Sequence, residues 1–417
     1  MSTQEQTPAV SKPAHVPDHL VYDFDYYRDP ALLRDAHARI IELQDRAPPV
    51  FWTPRHGGQW VVQGHDAVYD AQRQTEIFSS EAFPYEHLDA INAQAEAATG
   101  RKILVPLPIT VDPPVHTMYR KPLQKVFSPK AMNALSDDIR TLARRLIEAV
   151  KPDGACEFMS AVAEPLPVQV FLKIFGLPLD RQREYRDLLD EHMRSIGGEP
   201  AGVQERSWRL ADIMHDVLIE RRDHPRDDMI SLIWQTEFDG RPATLYDVQN
   251  FCVLLFIAGL DTVMNGMGHG IRFLAQHPEV QAQLRDKPKL AMDATEELLR
   301  RFTFTVPVRR VAQDAEFHGA PVRKGEQALM FLPGADLDSA KFAHPERFDL
   351  EREDKVHIAF GAGPHRCLGS HLARIELRIL YEEMTQRLPE FRLDPDHPVT
   401  YHGGNVIGPD QLYLRWD

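Results

Sequence analysis

The stretch Phe360-Gly-Ala-Gly-Pro-His-Arg-Cys367-Leu-Gly369, which leads directly into the helical run Ser370-His-Leu-Ala-Arg-Ile-Glu, decides the fold of this chain. Its glycines permit a tight turn that directs the cysteine sulfur outward. The helix that follows stabilises negative charge on the sulfur, because a helix N-terminus carries a partial positive charge. A thiolate held in this way is a good ligand for iron. The alternative is that Cys367 is a buried packing residue, since free cysteines are among the most buried residues.

The chain as a whole has the composition of a folded globular protein, with 417 residues of which 43% are apolar and 26% are charged. Its net charge of −14 disfavours nucleic acid and anionic lipid as partners. Cys156, Cys252 and Cys367 lie far apart, which argues against a disulfide framework and a structural zinc site. We expect a cytoplasmic protein, because the N-terminus lacks the regions of a signal peptide and no stretch approaches a transmembrane span.

Apolar periodicity predicts a mainly α fold with small β-sheets. Apolar residues recur at spacings of three and four through 133–150, 166–176, 205–221 and 245–276. The last of these helices begins at a capping-box-like Thr244, ends before Pro278 and spans roughly 50 Å. Short β-like patterns flank Gly57-Gly58 and return after about residue 303. We predict one domain over residues 19–417, preceded by a mobile tail of residues 1–18.

The loop around Cys367 resembles the haem-binding signature of the cytochromes P450, Phe-x-x-Gly-x-x-x-Cys-x-Gly, at each fixed position: Phe360, Gly363, Cys367 and Gly369. The resemblance covers nearly the whole chain and looks most like the bacterial camphor hydroxylases. The stretches that carry it include Phe78-Ser-Ser-Glu, Asp112-Pro-Pro and Glu296-Glu-Leu-Leu-Arg-Arg-Phe. The resemblance implies a cytochrome P450 fold, with haem b held between the long central helix and the C-terminal loop and with Cys367 as the axial iron ligand.

A glycine and a hydroxyl-bearing residue interrupt the long apolar helix at Ala258-Gly259-Leu-Asp261-Thr262. Glycine and threonine both weaken a helix, and a threonine hydroxyl that bonds backward opens the helical ladder and leaves room for a ligand. The alternative is an ordinary polar face. The segment resembles the family's oxygen-binding groove, which implies that Gly259 lies against the haem, that Thr262 holds the bound oxygen or its water, and that Asp261 relays protons.

The resemblance also implies residues that hold the haem and support its loop. Haem propionates need charge-assisted donors, and the matching positions are His116, Arg120, Arg309 and His365. The family's propionate-binding aspartate is Pro307 here, so that propionate relies on the other donors. A buried ion network behind the haem would consist of Glu297, Arg300 and Arg347 and would be structural. Taken alone, each propionate candidate is better explained as a solvated surface charge, and charged pairs such as Glu297 and Arg300 occur on most helices.

The substrate pocket is predicted by matched position. The candidates are Leu104, Ile109, Met193, Leu254, Ile257, Ala258, Thr305, Asn405 and Val406, each of which has plain core packing as its alternative. An apolar wall with few polar groups suits a terpenoid or norisoprenoid. Camphor itself is disfavoured, because Leu104 stands where the camphor hydroxylases have a tyrosine, and residues 86–111 contain no aromatic side chain.

The implied activity is hydroxylation with O2 and two electrons, which a separate [2Fe–2S] ferredoxin with its reductase would supply. Residues 115–136 contain Arg120, Lys121, Lys125 and Lys130 but no acidic residue. With Arg366 and Arg374 they predict a docking face for an acidic ferredoxin, and a solvated basic helix face is the alternative.

Other activities use the same site. A peroxygenase or a P450-like isomerase has less need of Asp261 and Thr262, and a haem-based sensor needs no proton relay, so this pair favours the monooxygenase. A zinc hydrolase is disfavoured, because the 19 histidines include no HExxH motif.

Overall fold

The computed structural model describes residues 6–81, 83–194 and 200–417. The chain divides into two compact units. Unit 1 contains the residues up to Ser79, Met132–Leu166 and Thr262–Asp417, and unit 2 contains Ser80–Ala131 and Pro167–Asp261.

The described part of the chain is mainly helical. The helices are α1 (Pro30–Arg34), α2 (Ala36–Arg46), α3 (His65–Ala71), α4 (Leu88–Thr99), α5 (Val115–Val126), α6 (Pro129–Asn133), α7 (Ser136–Val150), α8 (Pro165–Phe175), α9 (Gln182–Arg194), α10 (Pro200–Asp223), α11 (Met229–Trp234), α12 (Leu245–Leu260), α13 (Thr262–Gln276), α14 (Pro278–Asp286), α15 (Ala291–Arg301), α16 (Leu332–Ala335) and α17 (Ser370–Arg387). The predicted fold class, mainly α with small sheets, is confirmed.

The strands are short and lie mostly in unit 1. They are β1 (Val50–Thr53), β2 (Gln59–Val62), β3 (Phe78–Ser79), β4 (Ala155–Glu157), β5 (Glu237–Phe238), β6 (Arg241–Pro242), β7 (Val308–Val311), β8 (Ala315–Phe317), β9 (Ala320–Val322), β10 (Gln327–Met330), β11 (Phe391–Leu393), β12 (Thr400–His402), β13 (Gly408–Gln411) and β14 (Tyr413–Trp416). A five-stranded sheet has the order β1-β2-β10-β7-β3, and a three-stranded sheet has the order β11-β14-β4. Each of the pairs β12-β13, β8-β9 and β5-β6 forms a separate ladder.

The five-stranded sheet is buried on both faces. Trp60 and Val62 contribute to one apolar cluster, whereas Val61 between them contributes to a second cluster. This alternation follows from the two-residue period of a strand. The predicted hairpin of β1 and β2 pairs Val50 with Val62. Its turn needs a glycine at position 58, where φ is 86° and a Cβ atom would lie 2.5 Å from the ring of Trp52.

The long helix of the sequence prediction begins as expected. The Thr244 hydroxyl accepts from the backbone N–H of Asp247, and the Asp247 carboxylate accepts from the N–H of Thr244 at 2.8 Å, which together form a capping box. Arg241 adds a bidentate ion pair to Asp247 at 2.7 and 2.9 Å. The helix differs from the prediction in one respect, because its ladder is interrupted at Asp261, so that α12 ends at Leu260 and α13 begins at Thr262.

Residues 245–276 form, within the described chain, a stretch that is long and apolar enough to cross a membrane. The expectation that no stretch approaches a transmembrane span is therefore wrong on length and composition. In the structure 56% of the most apolar window of this stretch is buried inside the protein, which is typical of the core helix of a soluble protein.

The N-terminal segment differs from the predicted mobile tail from Thr7 onward. The Thr7 N–H donates to the Asp25 carboxylate at 2.8 Å, and the Val10 N–H donates to the Pro54 carbonyl at 2.9 Å. The Val16 side chain is 1% exposed and belongs to an apolar cluster of the sheet. The segment is therefore attached to the rest of unit 1 at Thr7, Val10 and Val16, whereas residues 8–12 and 14 are exposed. Residues 1–5 lie outside the described chain.

One buried acid on α17 is unexpected from the sequence. Glu376 is 1% exposed, and its Oε2 has no hydrogen-bond partner among the described residues. Burial raises the pKa of this carboxyl to about 8. The carboxyl is therefore neutral in the folded protein at pH 7, whereas it is ionised in the unfolded chain.

We predict that the stability of Glu376→Gln relative to the parent chain is higher at pH 8 than at pH 5. A raised pKa in the folded state contributes stability below the unfolded pKa of 4.5, and this contribution is lost as the pH rises toward 8. The amide has no proton to lose, so the difference in unfolding free energy should grow by about 3 kcal/mol between pH 5 and pH 8. Denaturant unfolding at both pH values measures it, with the exposed Glu390→Gln as control. Parallel pH profiles for the parent and Glu376→Gln would contradict the prediction.

Candidate active site

Cys367 lies in a closed loop of unit 1, three residues before α17 begins at Ser370. The Cys367 N–H donates to the Phe360 carbonyl at 2.8 Å and closes the loop. Gly363 has a φ of 66°, and a Cβ atom there would lie 2.3 Å from the Gln72 carbonyl oxygen. The Gln72 side chain in turn accepts from the N–H of Ala362 at 2.6 Å. The loop is therefore fixed against the end of α3, and it leaves Cys367 exposed.

Phe360 at the start of the loop is held by a second set of contacts. The Arg374 guanidinium carbon lies 4.4 Å from the centroid of the Phe360 ring, and Arg374 forms a bidentate ion pair with Glu296 at 2.7 and 3.0 Å. Burial acts to raise the pKa of Glu296, but hydrogen bonds from His357 and Arg374 lower it to about 2. Arg374 therefore braces the loop against α15, and its predicted role as a docking charge stays a prediction.

The loop suits the proximal ligand of a haem. Its cysteine is exposed, and its backbone is held by at least two independent sets of contacts. An 18-residue helix follows, whose N-terminus favours the thiolate over the thiol. Cys156 and Cys252 differ, because burial raises the pKa of the Cys156 thiol to about 12 and raises that of Cys252 well above its ordinary value. Of the three cysteines, Cys367 alone is both exposed and placed at a helix start.

Two residues at the interruption, Gly259 and Asp261, have specific neighbours in unit 2. A Cβ atom on Gly259 would lie 2.5 Å from the ring of Phe171, so close packing of α8 on α12 requires a glycine there. Asp261 is buried, and its Oδ1 lies 3.8 Å from the Arg186 guanidinium. Thr262, the first residue of α13, is half-buried. Gly259 thus has a packing role that the sequence did not reveal, and its contact with a haem stays a prediction.

One face of α12 is incompletely covered. Leu254 and Ile257 are half-buried and Ala258 is exposed, whereas Leu255, Phe256 and Leu260 are buried. Spacings of three and four place these three side chains on the same face. The face is apolar and accessible, as expected of a wall against a flat apolar group.

The remaining pocket candidates are divided between the two units. In unit 1, Thr305 and Val406 form an antiparallel bridge, both are half-buried, and the Val306 N–H donates to the Asn405 carbonyl at 2.8 Å. In unit 2, Leu104 is 2% exposed, and both its N–H and its carbonyl bond to the side chain of Gln204.

Two other pocket candidates are less informative. Ile109 is 48% exposed. Met193 belongs to α9, but its side chain lies outside the described residues.

The four residues predicted to bind the haem propionates are also divided between the two units. His116 and Arg120 lie one turn apart on α5 in unit 2, with His116 2% exposed and Arg120 half-buried. Arg309 on β7 and His365 in the cysteine loop belong to unit 1. Arg309 is buried, and its Nη1 donates to the Val308 carbonyl at 2.9 Å. Their joint role stays a prediction.

The buried ion network is confirmed in two of its three members. The Glu297 and Arg300 side chains are both 0% exposed and pair at 2.8 and 2.9 Å. The third cation is Arg352, whose Nε lies 3.0 and 3.1 Å from the two Glu297 oxygens. The prediction of Arg347 is wrong, because its side chain is 71% exposed. Arg347 contributes its carbonyl instead, which accepts from Arg300 and Arg352 at 3.1 and 3.0 Å.

Comparison with known proteins decides the family. A family model described as Cytochrome P450 matches residues 203–403. A probable cytochrome P450 127A1 from Sinorhizobium fredii is 32% identical over 413 residues, covering 97% of this chain and 96% of its own length. The chain belongs to the cytochrome P450 family. Linalool 8-monooxygenase from Pseudomonas putida is 30% identical and covers 84% of this chain and 88% of its own length.

Solved structures agree with this assignment. The crystal structure of CYP101J2 has a TM-score of 0.85 and 32% identity, and the alignment covers 98% of this chain and all of that chain. CYP101C1 has the same TM-score at 31% identity. The predicted likeness to the camphor hydroxylase branch is confirmed. The protein is therefore a P450 monooxygenase, and the cofactor of its family is a haem bound through a cysteine thiolate.

We predict that Arg352→Gln destabilises the protein and lowers its haem content, whereas Arg347→Gln changes neither by much. Loss of Arg352 leaves the fully buried Glu297 with one cation, at a cost of about 3 kcal/mol, while the Arg347 carbonyl survives its substitution. Thermal unfolding and the ratio of haem to protein absorbance measure the two effects. Equal losses in both variants would show that the network does not depend on the Arg352 side chain.

Proposed function

We propose that this P450 hydroxylates a terpenoid or norisoprenoid, with Cys367 as the residue that would hold its haem and with electrons from a [2Fe–2S] ferredoxin and its reductase. The single observation that carries the ligand assignment is that Cys367 is exposed and fixed by its loop directly before α17. The bound haem supplies the activation of O2. The chain supplies the binding sites, the orientation and the protons.

Support for the substrate class comes from two sources. The face of Leu254, Ile257 and Ala258 is apolar and accessible. Linalool 8-monooxygenase is a relative at 30% identity, and linalool is a small terpenoid alcohol. A small and mostly apolar ligand would bury its surface against this face and leave orientation to a few polar groups.

The proposed proton route uses two adjacent residues. Asp261 is buried and lies 3.8 Å from Arg186, so its carboxylate is held by an ion pair within unit 2. The Thr262 hydroxyl follows directly in the sequence, at the start of α13. In this proposal Asp261 takes up a proton at its carboxylate and passes it toward the Thr262 hydroxyl, which would hold it for the haem site.

Spectral titration tests the substrate class. Linalool, β-ionone, camphor and a sterol would be added to the ferric protein, and the low-spin to high-spin shift of the Soret band would be recorded. We expect the terpenoid alcohol or the ionone to bind about tenfold more tightly than camphor or the sterol, because pocket fit discriminates apolar ligands to that extent. Tightest binding of the sterol would contradict the proposed class without affecting the haem assignment.

We predict that Thr262→Ala keeps haem and substrate binding but releases most consumed electrons as hydrogen peroxide. The substitution removes the hydroxyl that directs the proton, while α13 keeps a good helix former at its first position. NADH consumption, hydrogen peroxide and product are measured together, with Thr262→Ser as the variant that restores the hydroxyl. Unchanged coupling in Thr262→Ala would exclude this role.

The ferredoxin proposal is supported by a basic segment of unit 2. Lys121, Lys125 and Lys130 are all exposed, and no acidic residue occurs from 115 to 136. In a chain of net charge −14, such a segment offers a local positive field to an acidic partner. The proposed setting is the cytoplasm, where the ferredoxin and the haem protein are both soluble.

Charge reversal at Lys125 tests the docking segment. We expect Lys125→Glu to slow reduction by the ferredoxin about three- to tenfold at low salt, with the difference shrinking as salt screens the charges. Lys289→Glu, an exposed lysine of unit 1, is the matched control. Equal rates for the two variants at low salt would contradict docking at this segment.

A further inference from the structure

Unit 1 contains a group of cationic and aromatic side chains away from the cysteine loop. Its members lie on α2, α13, α15 and β12 and are His37, His269, Arg272, Arg301 and Tyr401. The His37 ring centroid lies 4.9 Å from that of His269 and 5.8 Å from that of Tyr401. The Arg272 guanidinium carbon lies 5.6 Å from the Tyr401 ring centroid. Arg301 is linked to the group through Phe302, whose ring centroid lies 4.5 Å from that of His37.

Three donors of this group are buried and have no acceptor. Arg272 Nε, Arg301 Nη1 and the Tyr401 hydroxyl have no hydrogen-bond partner among the described residues. The Nε–H of Arg301 donates a hydrogen bond to the Glu346 carbonyl at 2.6 Å. We call Arg272, Arg301 and Tyr401 the arginine cluster. A buried donor without an acceptor is costly, so a donor-rich and acceptor-poor cluster favours a ligand that accepts hydrogen bonds.

The charge of the arginine cluster is not balanced by the described carboxylates around it. Neither Arg272 nor Arg301 forms an ion pair with one of them within 4.0 Å. The Glu297 carboxylate already forms ion pairs with Arg300 and Arg352. Burial, together with the charges of Arg300 and Arg272, lowers the pKa of Arg301 to about 10.

Two further carboxylates lie near the arginine cluster, and each has another role. Glu346 is 44% exposed and lies 3.6 Å from Arg347. Asp35 caps α2 by accepting from the Ala38 N–H at 3.2 Å. The buried side of the cluster therefore keeps a positive potential in a protein of net charge −14.

The two histidines contribute no charge at neutral pH. His269 Nε2 bonds to the Ile407 carbonyl at 2.8 Å, so this nitrogen carries the proton. His269 Nδ1 then accepts from His37 Nε2 at 3.2 Å. Burial lowers the pKa of His269 to about 4, and burial with the nearby arginines lowers the pKa of His37 well below its ordinary value. The positive potential thus comes from the arginines.

We propose that the arginine cluster binds a small inorganic anion, such as chloride or phosphate, through Arg272, Arg301 and the Tyr401 hydroxyl. The anion accepts from the three buried donors and balances two cationic side chains. Arg272 and Arg301 are only half-buried, which gives the anion access from solvent. By joining α13, α15 and β12, the bound anion stabilises unit 1.

Thermal unfolding of the haem-loaded protein tests this proposal. Sodium chloride or sodium phosphate would be added at constant ionic strength, with sodium gluconate as the balancing salt. We expect the unfolding midpoint to rise by about 3 °C at saturation, because a ligand that binds only the folded state raises its stability. A larger rise with phosphate than with chloride would identify an oxyanion, and the reverse would identify a halide.

Variants show whether the effect arises at the arginine cluster. Arg272→Gln and Arg301→Gln should each lose most of the rise, and Tyr401→Phe should lose part of it. Arg323→Gln, at an exposed arginine of the same unit, should keep all of it. Isothermal titration calorimetry on the same proteins keeps the test independent of any change in basal stability. The proposal is overturned if the parent protein shows no rise, or if Arg272→Gln and Arg323→Gln show the same rise.

Discussion

The hydrogen bond from the Cys367 N–H to the Phe360 carbonyl is the constraint on which the rest of the structure depends. It closes the loop and leaves Cys367 exposed just before α17, where the helix favours a thiolate. The loop is possible only because Gly363 lies where any Cβ atom would meet the Gln72 backbone. The chemistry of the family therefore rests on local backbone geometry, which surrounding contacts hold in place.

Buried ion pairs stabilise much of this local geometry. Arg374 fixes Phe360 by stacking on its ring while it pairs with Glu296, and Glu297 binds two arginines in the interior of unit 1. Such networks are costly to break, because removal of one partner leaves a buried charge behind. The arginine cluster is the opposite case, in which two cations form no ion pair with a carboxylate in the described part of the chain, and the proposed anion from solution would balance them.

The sequence was informative where local pattern and local structure coincide. The cysteine loop, the capping box at Thr244 and the pairing of Glu297 with Arg300 are all encoded within a few residues. Prediction from the sequence failed where a residue contacts a partner that is distant along the chain. Arg352 sits in the charged run Glu351-Arg-Glu-Asp and looks like a surface residue, and the need for a glycine at position 259 is apparent only from Phe171. The raised pKa of Glu376 also depends on burial. A single glutamate within a helical pattern does not indicate that it will be buried.

An absorption spectrum of the dithionite-reduced protein under carbon monoxide tests the central claim, that Cys367 holds the haem as a thiolate. The account predicts a Soret band at the strongly red-shifted position of a thiolate-ligated haem, and its loss in Cys367→His while the Cys156→Ser protein keeps it. A parent spectrum at the histidine-ligated position, or a red-shifted band that survives in Cys367→His, would contradict the account.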